Sequence, residues 1–158
     1  MQSLLLIHTI ALNKDRPLYL DNMSPAFTAL QFHQSFERCV NDPRFIDKFY
    51  EIFLSSSDEI NILFKDTNME TQKVMLVTSM AFMTRAYENN PSFLSEIAEK
   101  HNSNNLGIKP HLYPLWLNSL ISTAKLIDPL FDMDTENLWR EIMQPGIDYM
   151  ISKYNDAL

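Results

Sequence analysis

The sequence predicts an all-α domain, and three observations carry that expectation. Only two glycines occur in 158 residues, which leaves little room for the tight turns of an all-β domain. Apolar residues recur at spacings of three and four along most of the chain, the period of an amphipathic helix. Prolines and capping residues fall where helices begin, at Ser24-Pro25, Asn41-Asp42-Pro43, Pro91 and Pro110. With 46 % hydrophobic residues, these patterns give one domain of roughly six to seven helices with a real core.

Residues 1–23 read differently from the rest. Leu4-Leu5-Leu6-Ile7 and Ile10-Ala11-Leu12 make a short apolar patch that His8 interrupts. No basic residue precedes it, no small-residue cleavage site follows, and it is too short to span a bilayer. It reads as an extension outside the core, with Met23 as an alternative natural start and the folded domain over residues 24–158.

From Pro25 to Val40 the pattern is helical, with Phe27, Leu30, Phe36 and Val40 as its apolar members. Asn41-Asp42-Pro43 caps a second helix, over residues 44 to about 54, that carries Phe45, Ile46, Phe49, Tyr50 and Phe53. Ser55-Ser56-Ser57 breaks it, and Ser57-Asp58-Glu59 opens a short helical turn ending at Leu63-Phe64. Residues 70–87 form a long amphipathic helix whose stripe is Leu76, Met80 and Met83, with Gln72 one turn before Leu76. A helix opened by Pro91 follows, then one over residues 110–127 with Tyr113, Trp116, Leu117, Leu120 and Ile121, which Asp128-Pro129 ends. Asp134-Thr135 caps the last helix, whose apolar members are Leu138, Trp139, Ile142, Met143, Ile147, Met150 and Ile151, and Pro145-Gly146 is expected to kink it.

Composition narrows the function. A net charge of −7, from 13 basic and 20 acidic residues, argues against nucleic acid and anionic membrane surfaces as partners. The single Cys39 excludes an internal disulfide and a multi-cysteine zinc or iron–sulfur site, fits a reducing cytoplasmic setting, and reads as a packed thiol. Ten Phe, nine Met, six Tyr and two Trp either pack helices or line a pocket for a flat apolar ligand. No P-loop, GxGxxG, GxSxG, HExxH or carboxylate cluster with metal spacing is present.

The chemistry concentrates in residues 92–113, SFLSEIAEKHNSNNLGIKPHLY. Phe93, Leu94, Ile97, Ala98 and His101 fall on one helical stripe, so His101 is a metal-competent group on an apolar face. Asn102-Ser103-Asn104-Asn105 competes with helical hydrogen bonding, and Gly107 suits a left-handed cap. An imidazole at the end of an apolar stripe, followed by a break, can present one axial ligand to iron. A lone histidine so placed also serves as a satisfied core residue, and this stretch alone leaves both open. Gln72 on its apolar stripe and Tyr50 among aromatics are equally double-sided, whereas His8, His33 and His111 lie in polar or flanking segments and read as non-ligands.

In order and spacing these residues resemble the globin family, and look most like the single-domain bacterial globins and the haem domain of flavohaemoglobins. The resemblance covers residues 27–154 and is carried by FYEIFLSSSDEINILF (49–64), METQKVML (69–76) and IAEKHNSNNLGIKPHLY (97–113). It implies a globin fold whose helices sandwich a haem b (iron protoporphyrin IX). It implies that His101 falls on the proximal histidine that binds the iron, and Phe64 on the phenylalanine packed against the porphyrin. Leu76 falls on the apolar position that limits access to the sixth coordination site, and Tyr113 on a tyrosine that supports the proximal side. Tyr50 and Gln72 fall on the distal polar positions. The implied function is reversible binding of O₂, and of NO or CO, by a pentacoordinate ferrous iron, since Gln72 stands where many globins place a second histidine. The alternatives are an NO dioxygenase that works with a separate reductase, and a haem-based gas sensor or interaction module.

The residue types suit that chemistry. Haem iron needs one neutral nitrogen donor whose other ring N–H is held by an acceptor, and the Ile97 carbonyl one turn before His101 is the candidate. A gas ligand that gains partial negative charge is stabilised by a phenol and an amide. The sequence also departs from the flavohaemoglobin pattern. Those proteins continue into flavin and nicotinamide domains; none follows Leu158 here, so the expected electron donor is a separate protein. They carry a glutamate in the last helix, whereas this region reads Ser152-Lys153-Tyr154-Asn155-Asp156, which predicts weak peroxidase-like electron push. The segment from His101 to Tyr113 is also longer than theirs.

Overall fold

In a computed structural model, residues 24–88 and 90–155 are described. The expected extension over residues 1–23, with His8 and Met23, and the carboxylate of Asp156 lie outside the described residues. The rest is helical: α1 (Pro25–Val40), α2 (Phe45–Leu54), α3 (Asp58–Leu63), α4 (Met69–Glu88), α5 (Ser95–His101), α6 (Tyr113–Ile127) and α7 (Met133–Ser152). Short 3₁₀ turns at Pro91–Leu94 and Pro110–Leu112 lead into α5 and α6. No strand occurs among the described residues, and none of their helices is long and apolar enough to cross a membrane.

The caps explain most boundaries. Ser24, Ser57 and Asp132 each accept a backbone N–H from three residues on, at the starts of α1, α3 and α7. Asn68 does the same for Thr71 at 3.1 Å and so fixes where α4 begins. The cap of α7 is therefore Asp132 and not Asp134-Thr135, because the Asp132 carboxylate takes both the backbone N–H and the hydroxyl of Thr135. The start of α2 moves as well. Asp42 accepts the backbone N–H of Arg44 and ion-pairs with its guanidinium, and the helix begins after that turn.

The stripe of α1 is turned from the one the sequence suggests. Phe27 and Leu30 are 47 % and 55 % exposed, while Thr28, Ala29, Phe32, Ser35 and Cys39 are buried. The small polar residues Thr28 and Ser35 obscure this inward face in a hydropathy reading. Phe36 and Val40 lie between the two faces and are half-buried. Phe32 packs edge-on against Trp139 of α7, with ring centroids 4.9 Å apart. Cys39 is buried in this core, and burial pushes its thiol up to about 12, so it stays protonated and inert.

The most extensive helix contact is between α4 and α7, and Gly146 explains how closely they meet. A Cβ built there would stand 2.0 Å from Met83 Sδ and 3.1 Å from Leu94 Cδ1. Pro145 removes one helical hydrogen bond without ending α7. At the opposite corner a buried polar cluster joins α1 to the α6–α7 turn. Asp128, 2 % exposed, accepts Ser35 Oγ at 2.6 Å, Arg38 Nε at 2.6 Å and the Leu130 N–H at 3.0 Å. Trp139 Nε1 in turn donates to Ser35 Oγ at 3.0 Å.

Candidate functional site

The functional candidates meet in one cleft. Tyr50, Phe64, Gln72, Leu76, His101 and Tyr113 all line it, although they come from five parts of the chain. Its empty volume is about 1100 Å³, open mouth included. The walls are largely apolar; among the described residues, Lys100 and His101 are the only basic ones in the lining, and no Asp or Glu lines it.

His101 is the last residue of α5, and the loop beyond it folds back on the helix end. Asn102 is buried; its side chain accepts the N–H groups of Asn104 and Asn105 at 3.0 and 3.1 Å. Gly107, at φ 61°, returns an N–H to the Asn102 carbonyl at 2.8 Å, and Ile108 returns one to the His101 carbonyl at 2.9 Å. The glycine therefore closes the loop six residues after the last residue of the helix and does not cap the helix itself. Ser103 N–H bonds the Tyr154 carbonyl at 2.9 Å, which anchors the loop to the end of α7. Phe93, expected on the His101 stripe, is exposed and covered by the Arg85 guanidinium 4.8 Å from its ring, because Pro91–Leu94 forms a 3₁₀ turn with a different period.

The imidazole is oriented as the sequence suggested. His101 Nδ1 lies 2.7 Å from the Ile97 carbonyl. A carbonyl can only accept, so the hydrogen-bond network assigns the proton to Nδ1 and leaves the Nε2 lone pair free. No partner for Nε2 occurs among the described residues. Burial lowers the pKa of this histidine, the Ile97 bond opposes that, and Lys100 adds to it. The ring is neutral near pH 7, the form that ligates a metal.

On the side formed by α2, α3 and α4, Tyr50 donates to the Gln72 main-chain carbonyl at 3.0 Å. Burial pushes the phenol up to about 12, and a hydrogen bond with the Gln72 side chain acts in the opposite direction. The two polar residues thus form one unit, which sequence spacing alone did not suggest. Phe64 ends α3 and packs edge-on against Phe53, with centroids 5.6 Å apart. Leu76 is buried one turn after Gln72. Tyr113 begins α6; burial raises its phenol to about 12, and its hydroxyl has no partner among the described residues. The sequence reading did not assign Trp116, Met83, Met150 and Lys100 to the cleft, though all four line it. Trp116 follows Tyr113 by one turn and Met83 shares the Leu76 stripe, so periodicity could have found both. Lys100 gives no such signal.

The chemistry of the site fits a haem. A neutral imidazole with a free Nε2 and an unpartnered phenol face a large apolar slot. No three His, Cys, Asp or Glu side chains gather into a metal site among the described residues. An iron held at His101 therefore needs its other ligands from a prosthetic group.

No protein-family model and no curated protein matches the sequence. Among solved structures, the chain is similar to the crystal structure of a Pseudomonas aeruginosa PAO1 protein described as structurally highly homologous to a human haemoglobin. The two are 34 % identical and superpose with a TM-score of 0.76 over 80 % of this chain and 98 % of that one. That identity and coverage, together with the all-α architecture, place this chain in the globin family.

Proposed function

We propose that this globin binds one haem b in the cleft through His101 Nε2 and takes up O₂, and NO or CO, reversibly. The observation that carries the reading is the single neutral imidazole whose Nδ1–H is spent on the Ile97 carbonyl while Nε2 is left open. Haem, when bound, supplies an iron with one position free for a diatomic gas.

The chain's own residues do the rest. The Ile97 carbonyl fixes the tautomer and orientation of His101. Phe64 and Leu76 supply apolar surface to the slot. Tyr50 gives its only proton to the Gln72 carbonyl. The Gln72 amide has two N–H groups and needs at most one for the Tyr50 oxygen, so it keeps a donor for the gas ligand. Tyr50 then acts chiefly by holding the start of α4 and the Gln72 side chain in place. A hydrogen bond from that amide slows gas release, by roughly the 1 kcal/mol of an ordinary hydrogen bond.

The alternative from the enzyme class is conversion of NO to nitrate with electrons from a separate reductase. Reversible binding is favoured because, among the described residues, no carboxylate lines the cleft and the acceptor that holds His101 is the neutral Ile97 carbonyl, which makes it a modest donor to an iron. The resemblance to single-domain bacterial globins rests on the same Tyr50, Gln72 and His101. The test is the absorption spectrum of wild type and His101→Ala, ferric and reduced, with and without CO. A Soret band that shifts with CO, a five-coordinate reduced state, and loss or alteration of the band in the variant are expected. Failure of the wild type to take up haem, or a low-spin, doubly ligated reduced state, overturns the reading.

A further inference from the structure

Two walls of the cleft that are remote in sequence are tied by one carboxylate at its edge. One wall is α3 with Ile60, Leu63 and Phe64; the other is the segment with Ile108, Leu112 and Tyr113. Glu59 directly precedes the buried Ile60, and its two oxygens are divided between Lys109 Nζ and His111 Nε2, each at 2.8 Å. These donors lie 50 and 52 residues further along the chain, and they alternate with or adjoin the residues that face the cleft. No other hydrogen bond or ion pair joins α3 to residues 106–113 among the described residues.

We propose that Glu59, with Lys109 and His111, is a strap that holds the cleft closed around its prosthetic group and sets how fast that group leaves. The inference rests on the haem reading above. An isolated surface ion pair contributes little. Here two donors on one segment share one carboxylate, so ordering that segment once serves both contacts. Their proximity holds the Glu59 carboxyl below its ordinary range, Lys109 first and His111 second. The strap touches neither His101 nor the Tyr50–Gln72 unit, so it governs retention and not ligation. It also gives His111 a role other than metal binding.

The experiment is haem transfer from ferric holoprotein to an excess of an apo-globin acceptor, followed by the Soret band. Wild type, Glu59→Gln and Lys109→Gln are compared at low and high salt. At low salt both variants are expected to lose haem about fivefold faster than wild type. Added salt should speed loss from wild type towards the Glu59→Gln rate and leave that variant nearly unchanged, because exposed pairs are screened. Ferric, reduced and CO spectra should be the same in all three. Equal rates, or equal salt dependence, in wild type and Glu59→Gln overturn the strap alone. A wild type without a Soret band overturns the strap together with the haem reading.

Discussion

Two regions of this molecule treat their polar side chains in opposite ways. At the corner of α1, α6 and α7, Asp128, Arg38, Ser35 and Trp139 satisfy one another completely. In the cleft, the Tyr50 hydroxyl is paired, whereas His101 Nε2 and the Tyr113 hydroxyl have no partner among the described residues. No fully buried side-chain nitrogen or oxygen is left unpaired among the described residues, so these two atoms are reached through the open cleft and stay available to a ligand there. The corner is the arrangement of a structural anchor, and the cleft that of a site built for a ligand.

The largest effect is expected from breaking the anchor. Asp128→Ala removes a fully buried carboxylate and strands Ser35, Arg38 and the Leu130 N–H. Because Arg38 is itself 33 % exposed and can partly rehydrate, a loss of about 3 kcal/mol is expected in guanidinium unfolding, near the low end for a broken buried pair. Its pH dependence has a definite sign. Burial raises the carboxyl, but Arg38, Ser35 and the Leu130 N–H together outweigh it, and the net pKa is lowered. A depressed carboxyl contributes stability that is present above the unfolded value and lost as pH falls through the folded one. Wild type should therefore lose this increment on acidification below about pH 4, and the acid limb of Asp128→Asn should be flatter. An unchanged acid limb in that variant would remove Asp128 as the anchor.

A smaller loss, about 1–2 kcal/mol, is expected from Gly146→Ala, where the added Cβ drives Met83 away from α7. Met83 also lines the cleft, so this change carries a core defect into the site. Haem affinity should fall with stability, and a second change, Met83→Ala, should restore part of both. Stability lost with affinity unchanged would show that Met83 moves elsewhere.

Much of this was legible in the sequence, and the misses share one cause. Helix order and the break after His101 could be read because apolar period and capping chemistry are local signals, whereas the grouping of the six cleft residues came from the resemblance to globins and not from spacing. The inward face of α1 was misread because Thr28 and Ser35 are polar residues that the fold buries. Asp128 looked only like a helix terminator, since its side-chain partners Ser35 and Arg38 stand 90 or more residues away. The joining of Tyr50 to the Gln72 main chain was hidden for the same reason: a side chain's choice of a backbone carbonyl 22 residues away leaves no pattern in the sequence. Lys100 and the Glu59 strap likewise appear only once the chain is folded.

The two buried phenols give the finest test, because each substitution deletes the same atom. Tyr50→Phe removes a hydrogen bond and leaves the Gln72 carbonyl with only its helical partner, so apo-protein stability should fall by about 1 kcal/mol. Tyr113→Phe removes a hydroxyl that is buried enough to raise its pKa to about 12 yet bonds nothing among the described residues. Apo-protein stability should then change by less than about 0.5 kcal/mol, since no protein hydrogen bond is lost. With haem bound the Tyr113 comparison should change sign: if the hydroxyl is kept for the ligand side, Tyr113→Phe holoprotein should lose haem faster than wild type. Equal apo-protein losses for both phenols would mean that the Tyr113 hydroxyl is already satisfied, and the contrast between anchor and cleft would then rest on His101 alone.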